Sequence, residues 1–213
     1  MNKPTLILIG GGTAAGKSSI AEFISKEIKK NLSNNPKSIH DAKLKNILIS
    51  LLKRERIVYP RLEKVVKNSV NTELIFHENG ETKDPADIII VEGVHALQFE
   101  SINKLADLKI YVSADDDIRL MRKLKRISKG IRQNLNHEER LNFLFDLMDR
   151  WIWLARADHI KFILPTKKSA DLIIDNNPEN IANNSKLKQI IHHCNNKEKF
   201  EVMKNQEKRR DQK

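Results

Sequence analysis

The sequence predicts an α/β fold, a parallel sheet sandwiched between helices. Three observations carry that prediction. Apolar runs rich in Ile, Leu and Val recur at residues 5–9, 87–91, 108–112 and 171–174, and uniformly apolar runs mark strands buried on both faces. Stretches with apolar residues at helical spacing lie between them, the order expected of crossover helices. The first run leads directly into Gly11-Gly12-Thr13-Ala14-Ala15-Gly16-Lys17-Ser18, a complete G-x-x-x-x-G-K-[ST].

Each element follows in turn. Thr5-Leu6-Ile7-Leu8-Ile9 has the character of a buried strand, and Ile20, Phe23, Ile24 and Ile28 give residues 18–30 a helical face. Residues 31–40 are polar and broken by Pro36, so they read as loop. Asp41 then caps a helix with Leu44, Ile47, Leu48, Leu51 and Leu52 on one side. Residues 57–60 form a short extended piece, residues 61–70 a further helix, and Asn79-Gly80 after Leu74-Ile75-Phe76 a tight turn. Residues 115–163 divide into two helices broken near 130–137. From Asn176 the composition turns to asparagine and lysine, with Pro178, one short amphipathic helix around Leu187, Ile190 and Ile191, and a disordered last dozen residues. The organisation is therefore one domain over 1–175 and a basic, partly disordered tail over 176–213.

Composition narrows the function. The chain has 213 residues, 39% of them hydrophobic and 5% aromatic, enough for one core. Its net charge of +11 suits nucleic acid, or the phosphates of a nucleotide and its substrate, or a lysine-rich composition with a basic tail. A mixture of the last two is favoured, and a nucleic-acid partner is not. Cys194 is the single cysteine, which excludes an intrachain disulfide and a cysteine zinc site. No run approaches 18 apolar residues, and the first apolar run ends in the glycine loop, so it is a core strand and not a signal peptide. A soluble cytoplasmic protein without membrane contact is expected; a homo-oligomer is compatible with it.

The glycine loop points to phosphate. Its glycines let backbone N–H groups turn inward, and the following helix contributes its positive dipole end. Residues Gly11 to Ser19 would cradle a nucleoside triphosphate, with Lys17 on the β- and γ-phosphates and the Ser18 hydroxyl on Mg²⁺. A second acid fits the same chemistry. Glu92 ends the run Ile88-Ile89-Ile90-Val91, at the carboxyl edge where open parallel sheets bind ligands, and would serve as the metal acid. Gly93 would let the chain turn away sharply.

With these residues in view, the sequence resembles the uridine kinase and phosphoribulokinase family of P-loop kinases. The resemblance is carried by the glycine loop, by Ala86-Asp87-Ile88-Ile89-Ile90-Val91-Glu92-Gly93-Val94-His95-Ala96-Leu97, by Asp107-Leu108-Lys109-Ile110-Tyr111-Val112 with Asp117-Ile118-Arg119-Leu120, and by residues 162–174. It covers most of residues 4–175. It implies a P-loop NTPase-like fold with a basic helical lid over about 115–137. It also implies ATP-dependent phosphoryl transfer to a small-molecule hydroxyl, typically on a nucleoside, with ATP and Mg²⁺ as cofactors. Residues 119–132 carry Arg119, Arg122, Lys123, Lys125, Arg126, Lys129 and Arg132. With Ile118, Met121, Leu124 and Ile127 buried, these cations would face the transferring phosphoryl group, Arg122, Arg126 and Arg132 above all. The alternative is a solvated basic face.

One family feature is missing. The family's second strand ends in an acid followed by an aromatic pair, and that acid takes the substrate proton. Here Asp41 is the only candidate, and it serves equally well as a helix N-cap. Two functions thus stay open: a nucleoside-type kinase, and a degenerate nucleotide-binding protein of the same fold. Tyr59-Pro60 and Phe76-His77 stand either near a nucleobase or in the core. His95, His137 and His159 lack partners at metal-ligand spacing and read as surface or lid residues; His192-His193-Cys194 falls in the polar tail. Trp151 and Trp153, with Phe143, Leu144, Leu147 and Leu154, read as core or hinge packing.

Overall fold

The computed structural model describes residues 3–27, 32–35, 41–66, 72–83, 86–128, 136–180, 185–196 and 200, with backbone alone at 32–35, 41–43, 59–66, 72–83 and 196. Along the chain run β1 (Thr5–Gly11), α1 (Lys17–Glu27), β2 (Leu32–Asn35), α2 (Asp41–Leu52), β3 (Ile57–Val66), β4 (Thr72–Lys83), β5 (Ile88–Glu92) and α3 (Glu100–Asn103). Then come β6 (Leu108–Ser113), α4 (Asp116–Ser128), α5 (His137–Arg150), β7 (Leu172–Asp175) and α6 (Ser185–Asn196). Between α5 and β7 the chain winds through π-helical turns at Trp151–Arg156 and His159–Ile163 and a 3-10 turn at Leu164–Ser169.

The apolar runs pair as the sequence predicts. The main sheet has the order β2-β5-β1-β6-β7, and each neighbouring pair is parallel. Side chains alternate between its faces with the period of two that a strand imposes. Ile7, Ile9, Ile88, Ile90, Ile110 and Val112 share one core with Ile20 and Ile24 of α1. Leu6, Leu8, Ile89, Val91 and Tyr111 share the other with Leu48 and Leu51 of α2. Two covered faces explain why these runs are almost wholly apolar. The first core continues past residue 175: Leu187, Ile190 and Cys194 of α6 are buried in it.

A local device sets the register at the amino edge. Strands β5, β6 and β7 are each preceded by Ala-Asp, at 86–87, 106–107 and 170–171. The Asp107 carboxylate accepts the Leu6 N–H at 2.8 Å, and the Asp171 carboxylate accepts the Lys109 N–H at 2.8 Å. The Asp87 carbonyl accepts the Thr5 N–H at 2.9 Å, while its carboxylate binds Arg54 at 2.7 Å. Each strand is thereby tied to its neighbour by the residue just before it begins.

The structure departs from the sequence reading in four places. Within 31–40, residues 32–35 are not loop but the edge strand β2, which a parallel neighbour can hold despite its polar sequence. Residues 61–66 are not helical; they belong to β3, antiparallel to β4. Val58, Val65 and Val66 are β-branched, and pairing overrides a weak helical pattern. Asn79-Gly80 is not the hairpin turn. It lies inside β4, where Tyr59 faces Glu81 and Arg61 faces His77, so 78–80 form an irregularity opposite Pro60. Finally, α4 is seated differently: Ile118, Leu124 and Ile127 are only half-buried, Met121 is exposed at 63%, and the buried residue of the helix is Arg119, at 1%. Among the described residues no helix is long and apolar enough to cross a membrane.

The amino-edge device is testable. Asp171→Ala removes the acceptor of the Lys109 N–H and an ion pair at 3.5 Å to the Lys109 ammonium. Urea denaturation is expected to show a loss of about 1–3 kcal/mol.

Candidate active site

The loop after β1 must turn its N–H groups toward one point, which demands left-handed backbone. Gly11 has φ 134°, Gly16 φ 99° and Ala14 φ 59°. Two of these positions also lack space. A Cβ at Gly11 would collide with the Val112 carbonyl, and one at Gly16 with the Asn176 amide. The glycines answer both conformation and contact. Ala14 accepts the conformation with a Cβ, at a strain of about 1–2 kcal/mol.

Lys17 opens α1 and folds back, its ammonium donating to the Gly12 carbonyl at 2.7 Å, 8% exposed. Beside it the Ser18 hydroxyl donates to the Glu92 carboxylate at 3.0 Å. The register explains this meeting: Ile9 of β1 lies opposite Glu92 of β5, so both loops leave the sheet side by side. Two hard oxygen donors at the foot of a cavity fit Mg²⁺, which keeps water and phosphate oxygens as its other ligands. The cavity holds about 760 Å³. Among the described residues its charged lining is Lys17, Arg122, Arg126, Lys188 and one acid, Glu92, an excess of cations suited to phosphates. Phe23, Val94 and Leu187 supply an apolar wall.

The structure brings together most of the residues singled out from the sequence. Thr13, Ala14, Gly16, Lys17, Ser18, Ser19, Glu92, Arg122 and Arg126 border this one cavity. Ala15 is buried beneath it, and Gly11 and Gly12 face away from it. Arg122 donates to the Asn176 carbonyl at 2.7 Å, and its other terminal nitrogen is buried with no partner among the described residues. Asp41 opens α2, but its side chain lies outside the described residues, as do Arg132 and the side chains of Tyr59, Phe76 and His77. Gly93 needs no special conformation: its φ is not left-handed, and a Cβ there would meet nothing within 4 Å.

Other residues emerge that sequence reasoning passed over. Asn176 is buried at 8%, and its amide donates to the Ala15 carbonyl at 2.7 Å, so the residue after β7 buttresses the glycine loop. Its place at a strand's carboxyl end was the available signal. His159 is neither a surface nor a lid residue; the π-helical turn buries it to 8% exposure. Burial, then the Arg119 charge, with Lys17 adding, hold its pKa below the ordinary value, against the pull of Asp116. For Asp116 burial acts upward, but the Arg119 hydrogen bond and charge, helped by His159 and Arg156, outweigh it and keep the carboxyl low. Trp151 is core at 3% exposed, whereas Trp153 stands 74% exposed and packs no core.

Comparisons with known proteins agree with this geometry. A model of the phosphoribulokinase / uridine kinase family matches residues 59–183, more than half of the chain and none of the glycine loop, so motif and match are independent. The uridine kinase of Clostridium novyi is 31% identical over 213 residues, covering 90% of this chain and 98% of the relative. Those of Lactobacillus helveticus and Bacillus pumilus are 31% and 29% identical over 199 residues, each covering 84% of this chain and 90% of the relative. A solved Bacillus stearothermophilus structure, titled a possible uridine kinase, aligns with a TM-score of 0.42 at 13% identity, over 82% of this chain and 90% of that one.

The buried histidine generates a pH prediction. Its folded pKa lies below the unfolded value near 6.5, so the unfolded chain binds the extra proton and stability falls as pH drops through that value. The melting temperature of the wild type is expected to fall more steeply below about pH 6.5 than that of His159→Gln. Parallel curves for the two proteins would show that His159 takes no part.

Proposed function

We propose that this chain, which belongs to the phosphoribulokinase / uridine kinase family and is a P-loop kinase, transfers the γ-phosphoryl group of ATP to a hydroxyl of a nucleoside of the uridine type. The observation that carries the reading is the Ser18–Glu92 contact at the foot of a cation-lined cavity. The names of the relatives support the nucleoside as acceptor.

In this reading the glycine loop wraps the β-phosphate with its N–H groups, and Lys17 leaves the Gly12 carbonyl to bridge the β- and γ-phosphates. Ser18 and Glu92 would hold Mg²⁺, which neutralises phosphate charge when bound. Arg122 and Arg126, on α4, border the cavity and would stabilise the charge spread over the transferring group. The acceptor oxygen forms a bond to the γ-phosphorus as the bond to the ADP oxygen breaks, and its proton passes to a carboxylate. Asp41 is the proposed carboxylate. Support comes from topology: β2 pairs with β5, Asn35 lies opposite Val91, and α2 opens at Asp41 soon after that edge.

Assays of acceptor-dependent ADP formation against a panel of nucleosides and phosphorylated sugars test the acceptor, and a sugar phosphate preferred over every nucleoside would displace the uridine-type reading. Lys17→Ala is expected to lower turnover by about 100-fold or more, since it strips charge from the γ-phosphate. Glu92→Gln keeps shape but not charge, so its activity should demand much more Mg²⁺ at nearly unchanged melting temperature; the reverse pattern would make Glu92 structural. Asp41→Asn should depress kcat far more than ATP affinity.

A further inference from the structure

We propose that Arg119 is a positioning residue for the phosphate loop, setting nucleotide affinity from behind without touching the nucleotide. The proposal rests on the reading of that loop as an ATP site.

Arg119 is the largest of the fully buried side chains and the single buried residue of α4. A guanidinium in such a place is costly unless it is paired and used. Its contacts converge on the loop. One terminal nitrogen lies 3.5 Å from the Thr13 carbonyl, and the other donates to the Asp116 carboxylate at 2.5 Å. The second Asp116 oxygen pairs with Arg156 at 3.4 Å, which ties the guanidinium to the π-helical segment. The Trp151 ring lies 5.2 Å from the guanidinium carbon and covers it. A Cβ at residue 12 would strike the guanidinium, so the loop is glycine there because Arg119 occupies the space.

Arg119 does not border the 760 Å³ cavity. It borders a separate cavity of about 470 Å³ with Gly12, Asp116, Arg156 and His159. Anything it does for a nucleotide passes through the loop backbone. The means are electrostatic and steric. Its charge polarises the peptide between Thr13 and Ala14, whose carbonyl is Thr13 O, and its bulk holds the loop forward. The 3.5 Å contact is long, with room to shorten as the loop closes on phosphate. Because Arg119 stands on the first turns of α4, the helix that carries Arg122 and Arg126, it couples loop and lid.

The test uses the full chain and MgATP. Calorimetric titration of Arg119→Met is expected to show binding about tenfold weaker than wild type, with Arg119→Lys between them, because lysine keeps the charge but not the fork. In a Trp153→Phe background Trp151 is the only tryptophan. MgATP is expected to shift its emission when Arg119 is present and to leave it unmoved in Arg119→Met, a readout that general destabilisation would not produce. Wild-type affinity in both Arg119 variants overturns the proposal. If Arg119→Met does not fold, Arg119→Lys decides: unchanged affinity with an unchanged Trp151 response overturns it. A wild-type chain that binds no MgATP would instead overturn the nucleotide reading beneath it.

Discussion

The constraint on which the rest of the structure depends is the absence of room around the glycine loop. A loop that aims its N–H groups at one phosphate must expose its carbonyls and Cα atoms to the protein behind it. Here that rear surface is packed from three directions: by the Val112 carbonyl of β6 at Gly11, by Arg119 of α4 at Gly12, and by Asn176 after β7 at Gly16. Each contact comes from a different stretch of sequence. The sheet, α4 and the chain after the last strand all end against the loop. Preorganisation of this kind lets dipoles act on phosphate with little reorganisation.

How much of this was legible in the sequence varies with the kind of signal. The central strands were plain, since burial on both faces leaves only apolar residues in Ile88-Ile89-Ile90-Val91 and nearly only apolar ones in its counterparts. The glycine loop between β1 and α1 and the place of Glu92 at the end of β5 were plain as well, because the motif and the apolar run mark them locally. The hairpin of β3 and β4 was not, for its polar strands are defined by pairing with each other and carry no strong period of their own. Edge strand β2, Leu-Ser-Asn-Asn, has the composition of a loop and is a strand only because β5 lies beside it. Arg119 was hidden by its type. Lysines and arginines count as solvent-facing by default, and the burial of this one depends on Trp151 and Asp116, which reach it only in the folded chain.

The same reasoning explains the weight of the segment after α5. Its wide turns carry Trp151 and His159 inward and leave Trp153 and Leu154 outward. Single-turn π distortions inside helices are uncommon and cluster at functional sites. Here they set the tryptophan over the guanidinium and the imidazole against Gly12, so the irregularity lies where the helix meets the rear of the phosphate loop.

The repeated Ala-Asp starts of β5, β6 and β7 have a consequence for the opposite end of the sheet. Asp107 fastens β1 to β6, and Asp171 fastens β6 to β7, at the edge far from the cavity. A slip of one residue would turn every side chain to the wrong face. The alignment of Gly11 with Val112, and of Ser113 with Asp175 before Asn176, is therefore measured off from a datum one strand length away, roughly 17–20 Å. The carboxylates at that datum take no part in chemistry, yet they act as the ruler against which the phosphate loop is laid out.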